Sequence, residues 1–258
     1  MRVANLWKSG PGDIRVREGA TITCGEGQVD ATVNISTSAS CAAAGNLFAN
    51  ATIRLTEGGR LTAKGVFLTD RAGASGSLSV NDPGSTAELA GALAVGQAGE
   101  GFLFVENKGR VACQTGGIAI FAGSRGDASV TDAEWTINPG NGGGGLLVGA
   151  AGIGTLNVTA AGNVRVTGAA DVILGREAGS EGTLRIKDLF STVDATSRTL
   201  VVGQSGKGTL EVGSGANLKV RNLHVGQSMS DNRASVGSTD AVLTVLDELV
   251  VGSAGVEH

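Results

Sequence analysis

Apolar and polar residues alternate over most of this chain in short stretches of four or five residues. Such alternation, with a period of two, is typical of a β-strand that buries one face. One stretch of four residues recurs along the chain. In its clear copies it reads Leu-x-Val-Gly, where x is any residue, and in looser copies another apolar residue replaces the leucine. Clear copies lie at 93–96, 146–149, 200–203, 223–226 and 249–252, and looser copies at 67–70, 120–123 and 172–175. Their closing positions are 26, 27, 26, 26, 28, 23 and 26 residues apart, which predicts a stack of similar units.

Each period also contains two further alternating stretches, separated by glycine-rich corners. Glycine makes up 43 of the 258 residues, which disfavours long helices and suits corners with positive φ. Three strands and three corners in about 26 residues predict an all-β fold, a right-handed parallel β-helix (solenoid). A β-propeller is excluded because its blades need about 40 residues. Equivalent residues such as Leu93, Leu146 and Leu200 should form inward ladders along the stack.

The chain divides into a regular and a less regular part. Regular repeats extend over 65–255 and predict one elongated unit. Residues 1–64 alternate less clearly, so we interpret them as degenerate N-terminal coils. The segment near 36–50 breaks the pattern and is expected to be an inserted loop, with a short helix at 41–45. Residues 256–258 (Val-Glu-His) are interpreted as the remnant of a purification tag.

Charge and hydropathy narrow the classes of partner. The formal net charge is −4 and no run of lysine or arginine is present, so nucleic acid is not an expected partner. No apolar run reaches the roughly 18 residues of a membrane span, so we expect no membrane insertion by this chain. Unpaired strand edges at the ends of the stack predict weak self-association through the end coils.

Three cysteines leave two interpretations open. Cys24 and Cys41 lie 17 residues apart and flank a stretch rich in serine, threonine and alanine. In an exported protein they would form a disulfide that closes this loop. Alternatively they are small buried thiols, like Cys113, which falls at an inward position of a predicted strand.

The segments 146–158 (LLVGAAGIGTLNV) and 200–212 (LVVGQSGKGTLEV) resemble the passenger repeats of bacterial autotransporters, the type V secretion family. The resemblance covers about residues 65–255. It implies a protein that is secreted or held at the bacterial cell surface, attached to the outer membrane in its full-length form. It also implies a role in adhesion, self-association, virulence or as a structural stalk. Expected partners are a host-cell surface protein or glycan, or the same protein on neighbouring cells.

The candidate partner-binding motif is Arg125-Gly126-Asp127. Extracellular adhesive proteins present this tripeptide to integrins, and here it is expected in the exposed corner after the stretch at 120–123. The competing interpretation is that Gly126 is simply a corner glycine, equivalent to Gly99 and Gly152.

No catalytic residue, metal site or cofactor is predicted. A β-helical enzyme that cleaves polysaccharides, a lyase or hydrolase, is the alternative function, but it needs clustered carboxylates and aromatic sugar platforms. Acidic residues here are scattered. Asp132 and Glu134 share a predicted strand face and are interpreted as solvated. His224 has no second histidine nearby, so a zinc site is not expected.

Overall fold

The computed structural model describes residues 5–8, 12–138, 145–169, 171–227, 231–237 and 239–252. Residues 256–258, interpreted above as a tag remnant, lie outside the described residues. Within the described part the chain is all-β, without a helix. The strands are β1 (Asn5–Lys8), β2 (Ile14–Val16), β3 (Thr21–Cys24), β4 (Glu26–Val29), β5 (Val33–Ile35), β6 (Ser40–Ala43), β7 (Asn46–Ala49), β8 (Thr52–Leu55), β9 (Arg60–Ala63), β10 (Gly65–Leu68), β11 (Ser75–Asn81), β12 (Thr86–Leu89), β13 (Ala92–Val95), β14 (Glu100–Glu106), β15 (Arg110–Cys113), β16 (Thr115–Ile118), β17 (Arg125–Thr131), β18 (Glu134–Ile137), β19 (Leu146–Val148), β20 (Ile153–Thr159), β21 (Asn163–Val166), β22 (Val172–Leu174), β23 (Glu181–Ile186), β24 (Thr192–Val202), β25 (Lys207–Gly213), β26 (Asn217–Val225), β27 (Arg233–Gly237) and β28 (Val242–Val251).

These strands form the three faces of a parallel β-solenoid, which confirms the predicted architecture. The first face is a sheet of ten strands, β2, β5, β8, β11, β14, β17, β20, β23, β25 and β27. The second face runs from β3 through β6, β9, β12, β15, β18 and β21. The third face runs from β1 through β4, β7, β10, β13, β16, β19 and β22. In the last coils β24, β26 and β28 pass through both the second and the third face, so these two faces are continuous. The hand of the spiral stays a prediction.

Apolar ladders fill the space between the faces, as expected. Leu93, Leu146 and Leu200 are at most 1% exposed and lie in register along the third face. Leu103 and Leu156 belong to the matching ladder of the first face. Each coil therefore closes its core only against the coils above and below it.

Two of the looser repeats were aligned incorrectly. Val95 pairs with Leu68 and with Ile118, so the positions equivalent to Gly96 are Thr69 and Ala119, not Asp70 and Gly123. Both residues adopt the positive φ of the closing glycines, 64° at Thr69 and 56° at Ala119. The position demands a left-handed backbone, which glycine adopts most easily. Thr69 and Ala119 adopt this backbone despite their side chains, so the sequence shows no glycine that would mark the position.

The N-terminal part is more regular than expected. Residues 36–50 contain β6 and β7, which pair in register with the coils on either side. The helix expected at 41–45 is wrong, because Ser40–Ala43 is a strand. The break in the pattern reflects a shorter coil: Ile14 pairs with Val33 and Val33 with Ile53, separations of 19 and 20 residues instead of about 26.

The corner that joins the third face to the first, called here the third corner, alternates between two lengths. Short corners contain three residues, at 97–99, 150–152 and 204–206, and long corners contain five, at 70–74, 120–124 and 176–180. Each long corner closes with a turn in which the N–H of its last residue donates to a carbonyl three residues earlier, as from Ser124 to Phe121 at 3.0 Å. Long corners therefore project from every second coil, about 10 Å apart.

Candidate partner-binding surface

Two phenylalanines lie side by side on the water side of the first face. In β14 the residues Gly101, Leu103 and Val105 point inward, so the alternation turns Phe102 and Phe104 outward. Their rings are stacked, with centroids 6.3 Å apart and planes 3° apart. Phe104 is 39% exposed and Phe102 is half-buried. The pair forms a small apolar platform on a sheet whose outward side chains are mostly polar.

The tripeptide Arg125-Gly126-Asp127 begins β17 and does not lie in a corner, which corrects the expected placement. Its backbone is paired on both sides, with β14 and with β20. The side chains of Arg125 and Asp127 point outward and form an ion pair, Nε to Oδ2 at 3.3 Å. The tripeptide is therefore part of a flat sheet and not the tip of a loop. Recognition by integrins stays a prediction.

Gly126 is explained by packing alone. It belongs to an inward column of glycines in register, Gly76, Gly101, Gly126, Gly154, Gly182 and Gly208. A Cβ atom on Gly126 would lie 2.6 Å from Cγ2 of Ile118 and 2.7 Å from the backbone nitrogen of Ala119. The backbone of the third corner approaches the first face so closely that only glycine fits. The equivalence to Gly99 and Gly152 was wrong, since those residues lie in short corners.

The register brings the phenylalanines and the ion pair together. Phe102 pairs with Asp127, and Glu100 pairs with Arg125, on adjacent strands. We call the outward side chains of Phe102, Phe104, Arg125 and Asp127 the Phe102 surface. It combines two aromatic faces with one guanidinium and one carboxylate, a set that stacks against flat apolar groups and donates and accepts hydrogen bonds. The charged residues were predicted from their motif and the rings were not, although the alternation of FLFV at 102–105 already turns both rings outward.

The three cysteines are buried thiols, and Cys24 and Cys41 are not joined by a disulfide. Cys41 pairs with Ile22, and Cys24 pairs with Ala43, so the two cysteines are two positions out of register on adjacent strands. That offset puts their Cα atoms roughly 8 Å apart, too far for a disulfide without backbone movement. Burial raises the pKa of the Cys41 thiol to about 12, helped by the nearby Cys24. Burial also raises the pKa of the Cys113 thiol to about 12, although the indole N–H of Trp135 opposes this by donating to its Sγ at 3.4 Å.

We expect the thiol reagent DTNB to label none of the cysteines of the native protein within minutes at pH 8. With a pKa of about 12, only about one in ten thousand of the Cys41 and Cys113 thiols is ionised at that pH, and burial shields all three side chains from the reagent. After unfolding in guanidinium without a reductant, the absorbance should correspond to all 3 thiols. A value of one thiol would mean that Cys24 and Cys41 form a disulfide.

Several acidic side chains lie beside a basic side chain of an adjacent coil. Asp132 binds Lys108, Glu134 lies 3.7 Å from Arg110, and Glu211 lies 3.0 Å from Arg185. Asp132 also lies in the corner before β18, with φ at 50°, so it does not share a strand face with Glu134 as expected. The described carboxylates of this region thus form cross-coil ion pairs rather than an acid–base pair.

His224 points outward from β26, as its position in the alternation predicts. Its ring contacts Glu248 at 3.4 Å and Gln227 at 3.1 Å, both of them polar neighbours on the surface. In the part of the chain that the structure describes, no group of three or more His, Cys, Asp or Glu side chains is arranged to hold a metal ion.

Comparisons with known proteins return no relative: no protein-family model, no curated protein and no solved structure matches the chain. Among the described residues, no helix has the length and hydropathy needed to cross a membrane. The geometry of the Phe102 surface, together with the resemblance of the repeats, is therefore the basis for a functional proposal.

Proposed function

We propose that this chain is part of an exported β-solenoid of the autotransporter passenger type, and that it acts in adhesion at a bacterial cell surface. Its partner is a host-cell surface protein or glycan, and the Phe102 surface makes the contact. The observation that carries the proposal is the pair of apolar rings on the water side of a sheet whose outward side chains are mostly polar.

Folding does not require these rings. The residues in register with Phe102 and Phe104 in the preceding coil are Ser77 and Ser79, and their strand β11 is likewise paired on both sides, with β8 and with β14. Covering exposed apolar area contributes about 25 cal/mol per Å², so the rings gain most of their free energy only when a partner covers them. Aromatic side chains, phenylalanine among them, are enriched at protein interfaces relative to the rest of the surface.

The mechanism is presentation by a stiff rod. Parallel pairing on both sides of β14 and β17 holds the backbone under the Phe102 surface, so little ordering of the chain is needed on binding. The rings then stack on the apolar face of a sugar or on a flat side chain, while Arg125 and Asp127 make hydrogen bonds beside them. No specific observation favours the alternative of a polysaccharide-degrading enzyme.

Binding of the purified chain to a glycan array and to cultured epithelial cells tests the proposal. The variant Phe102→Ser with Phe104→Ser copies the preceding coil and should fold normally. We expect it to lose at least about tenfold in affinity, because two hot-spot rings are removed. A circular dichroism melt checks that the thermal transition is retained.

Phe190→Ser is the matched control. Phe190 is also an exposed phenylalanine, at 72%, but it lies in the corner between β23 and β24, and β23 is three strands of the first face beyond β14. The control variant should bind like the parent. If all three proteins bind equally, the Phe102 surface is not the contact; if none binds, the chain is a stalk without an adhesive role.

A further inference from the structure

The two rings of the Phe102 surface stand in the middle of a row of four outward side chains. Along β14 the outward residues are, in order, Glu100, Phe102, Phe104 and Glu106, and the residues between them are buried. Successive members of the row lie two residues apart along an extended strand, a distance of about 6.7 Å. Each ring therefore has a carboxylate as its outer neighbour, so the row is apolar in its centre and anionic at both ends.

The two carboxylates of this row lack basic partners. Neither Glu100 nor Glu106 forms an ion pair or a side-chain hydrogen bond with any residue that the structure describes. Asp127 on the adjacent strand differs, because Arg125 holds it at 3.3 Å. The charges of the two glutamates are therefore available to a partner.

The charges around the rings have a negative balance. In the adjacent strands β11 and β17 the outward residues are serine, threonine and asparagine, apart from the ion pair of Arg125 with Asp127. Together with Glu100 and Glu106, the Phe102 surface thus carries three carboxylates and one guanidinium, a net charge of −2. This balance repels a partner with acidic groups, such as a sialylated or sulfated glycan, and attracts a partner with basic groups.

Given the adhesive role proposed above, on which this step rests, we propose that the partner of the Phe102 surface is a protein that presents arginine or lysine side chains, and not a glycan. Arginine and lysine carry an apolar stem below a cationic head. The stem packs on the rings of Phe102 and Phe104, and the head reaches the carboxylate next to them along the strand. An arginine head matches both carboxylate oxygens with its planar fork of N–H groups.

A neutral sugar would use only part of this row. Its apolar face covers an aromatic ring and its hydroxyls donate to a carboxylate, but it brings no opposite charge. The two glutamates stand at opposite ends of the row, about 20 Å apart. A protein surface with two basic side chains engages both ends at once and covers the rings between them.

Two short peptides test the charge requirement directly. Ac-Arg-Leu-Arg-NH2 carries two guanidinium groups, and Ac-Cit-Leu-Cit-NH2 has the same shape with uncharged citrulline in their place. Each is titrated into the ¹⁵N-labelled chain at about 50 mM NaCl, where screening is weak. We expect the arginine peptide to shift the amides of Glu100, Phe102, Phe104 and Glu106 saturably, with about fivefold higher affinity than the citrulline peptide. Equal affinities, or shifts confined to other parts of the chain, would overturn the proposal.

Glu100→Gln with Glu106→Gln removes both charges and leaves the rings in place. This double variant should bind the arginine peptide about fivefold more weakly at about 50 mM NaCl, and about as well as the parent at about 500 mM, because salt screens exposed ion pairs. Glu88→Gln with Glu181→Gln is the matched control. These exposed glutamates lie on β12 and β23, and their replacement changes the net charge by the same amount. An equal loss in the control would mean that overall charge, and not this row, attracts the peptide, which would refute the proposal.

Binding to epithelial cells distinguishes failure of the basic partner from failure of the adhesive role. Brief trypsin treatment of the cells should abolish binding of the parent chain, and enzymatic removal of their glycans should leave it unchanged. Binding that survives trypsin and is lost with the glycans would overturn the basic protein partner and leave the adhesive role in place. If the chain binds no cells, the adhesive role fails, and the peptide titrations alone decide whether the row recognises cationic side chains.

Discussion

Replacing Gly101 by alanine is expected to lower the free energy of unfolding by about 3 kcal/mol or more, from the addition of one methyl group. A Cβ atom there would overlap the backbone nitrogen of Gly96 and would lie 2.6 Å from the Gly96 Cα and 2.7 Å from the carbonyl carbon of Val95. All three contacts are with backbone, which cannot rotate away as a side chain can. Urea denaturation followed by far-ultraviolet circular dichroism measures the change.

Gly237→Ala is the control for this variant. Gly237 also lies in a strand of the first face, in β27, and a Cβ atom there meets nothing within 4 Å. Its replacement should change the free energy of unfolding by less than about 0.5 kcal/mol. If Gly101→Ala were equally mild, the third corner would have room to move. The inward column of glycines on the first face would then not be a steric requirement.

The glycine column shows why the architecture could be predicted from the sequence. Each coil meets its neighbours in the same way, so Gly101, Gly126 and Gly154 face the same constraint and recur at nearly the same interval. The leucine and valine ladders recur for the same reason. In a solenoid the long-range contacts are contacts between repeats, and a repeat is visible in the sequence.

Features that differ from coil to coil could not be predicted in this way. Thr69 and Ala119 adopt the positive φ of a closing glycine, so a search for glycine shifted the alignment to Asp70 and Gly123. That shift also concealed the alternation of long and short third corners. It placed Arg125 in a corner, although the register with Glu100 makes it the first residue of a strand.

The candidate sites depend on departures from the repeat. The Phe102 surface exists because two rings occupy positions that carry serine in the coil before. Ala94 and Gly117 likewise occupy outward positions of the third face that carry phenylalanine or leucine in neighbouring coils. The pattern along the chain identifies which positions face outward, but only the register between strands shows which of them are adjacent.

One departure lies inside the core, where Trp135 takes the place of a valine. Its neighbours in register on the second face are Val111 and Val164. Its indole ring extends over Gly116, which occupies a ladder position held by Leu93 and Leu146 in the adjacent coils. A Cβ atom on Gly116 would lie 2.8 Å from Cζ2 of Trp135. A large residue on one face is therefore matched by a missing side chain on another.

This matching predicts a strong energetic coupling between the two positions. Trp135→Val should cost about 3 kcal/mol, because it leaves a cavity above Gly116. Gly116→Leu should cost about 2 kcal/mol, because the new side chain collides with the indole ring. The double variant restores the valine and leucine of the adjacent coils, and we expect its free energy of unfolding to lie within about 1 kcal/mol of the parent value.

A double-mutant cycle by urea denaturation measures this coupling, with circular dichroism as the probe because the variants lose the buried indole. Cys113 provides an internal check, since Trp135 donates to its Sγ and the ring contributes to its burial. Reaction with DTNB should speed up in Trp135→Val and slow again in the double variant, as leucine refills the space. Additive losses of about 5 kcal/mol in the double variant would mean that the two positions do not compensate each other, and that the core of this coil is held together by contacts other than the indole ring over Gly116.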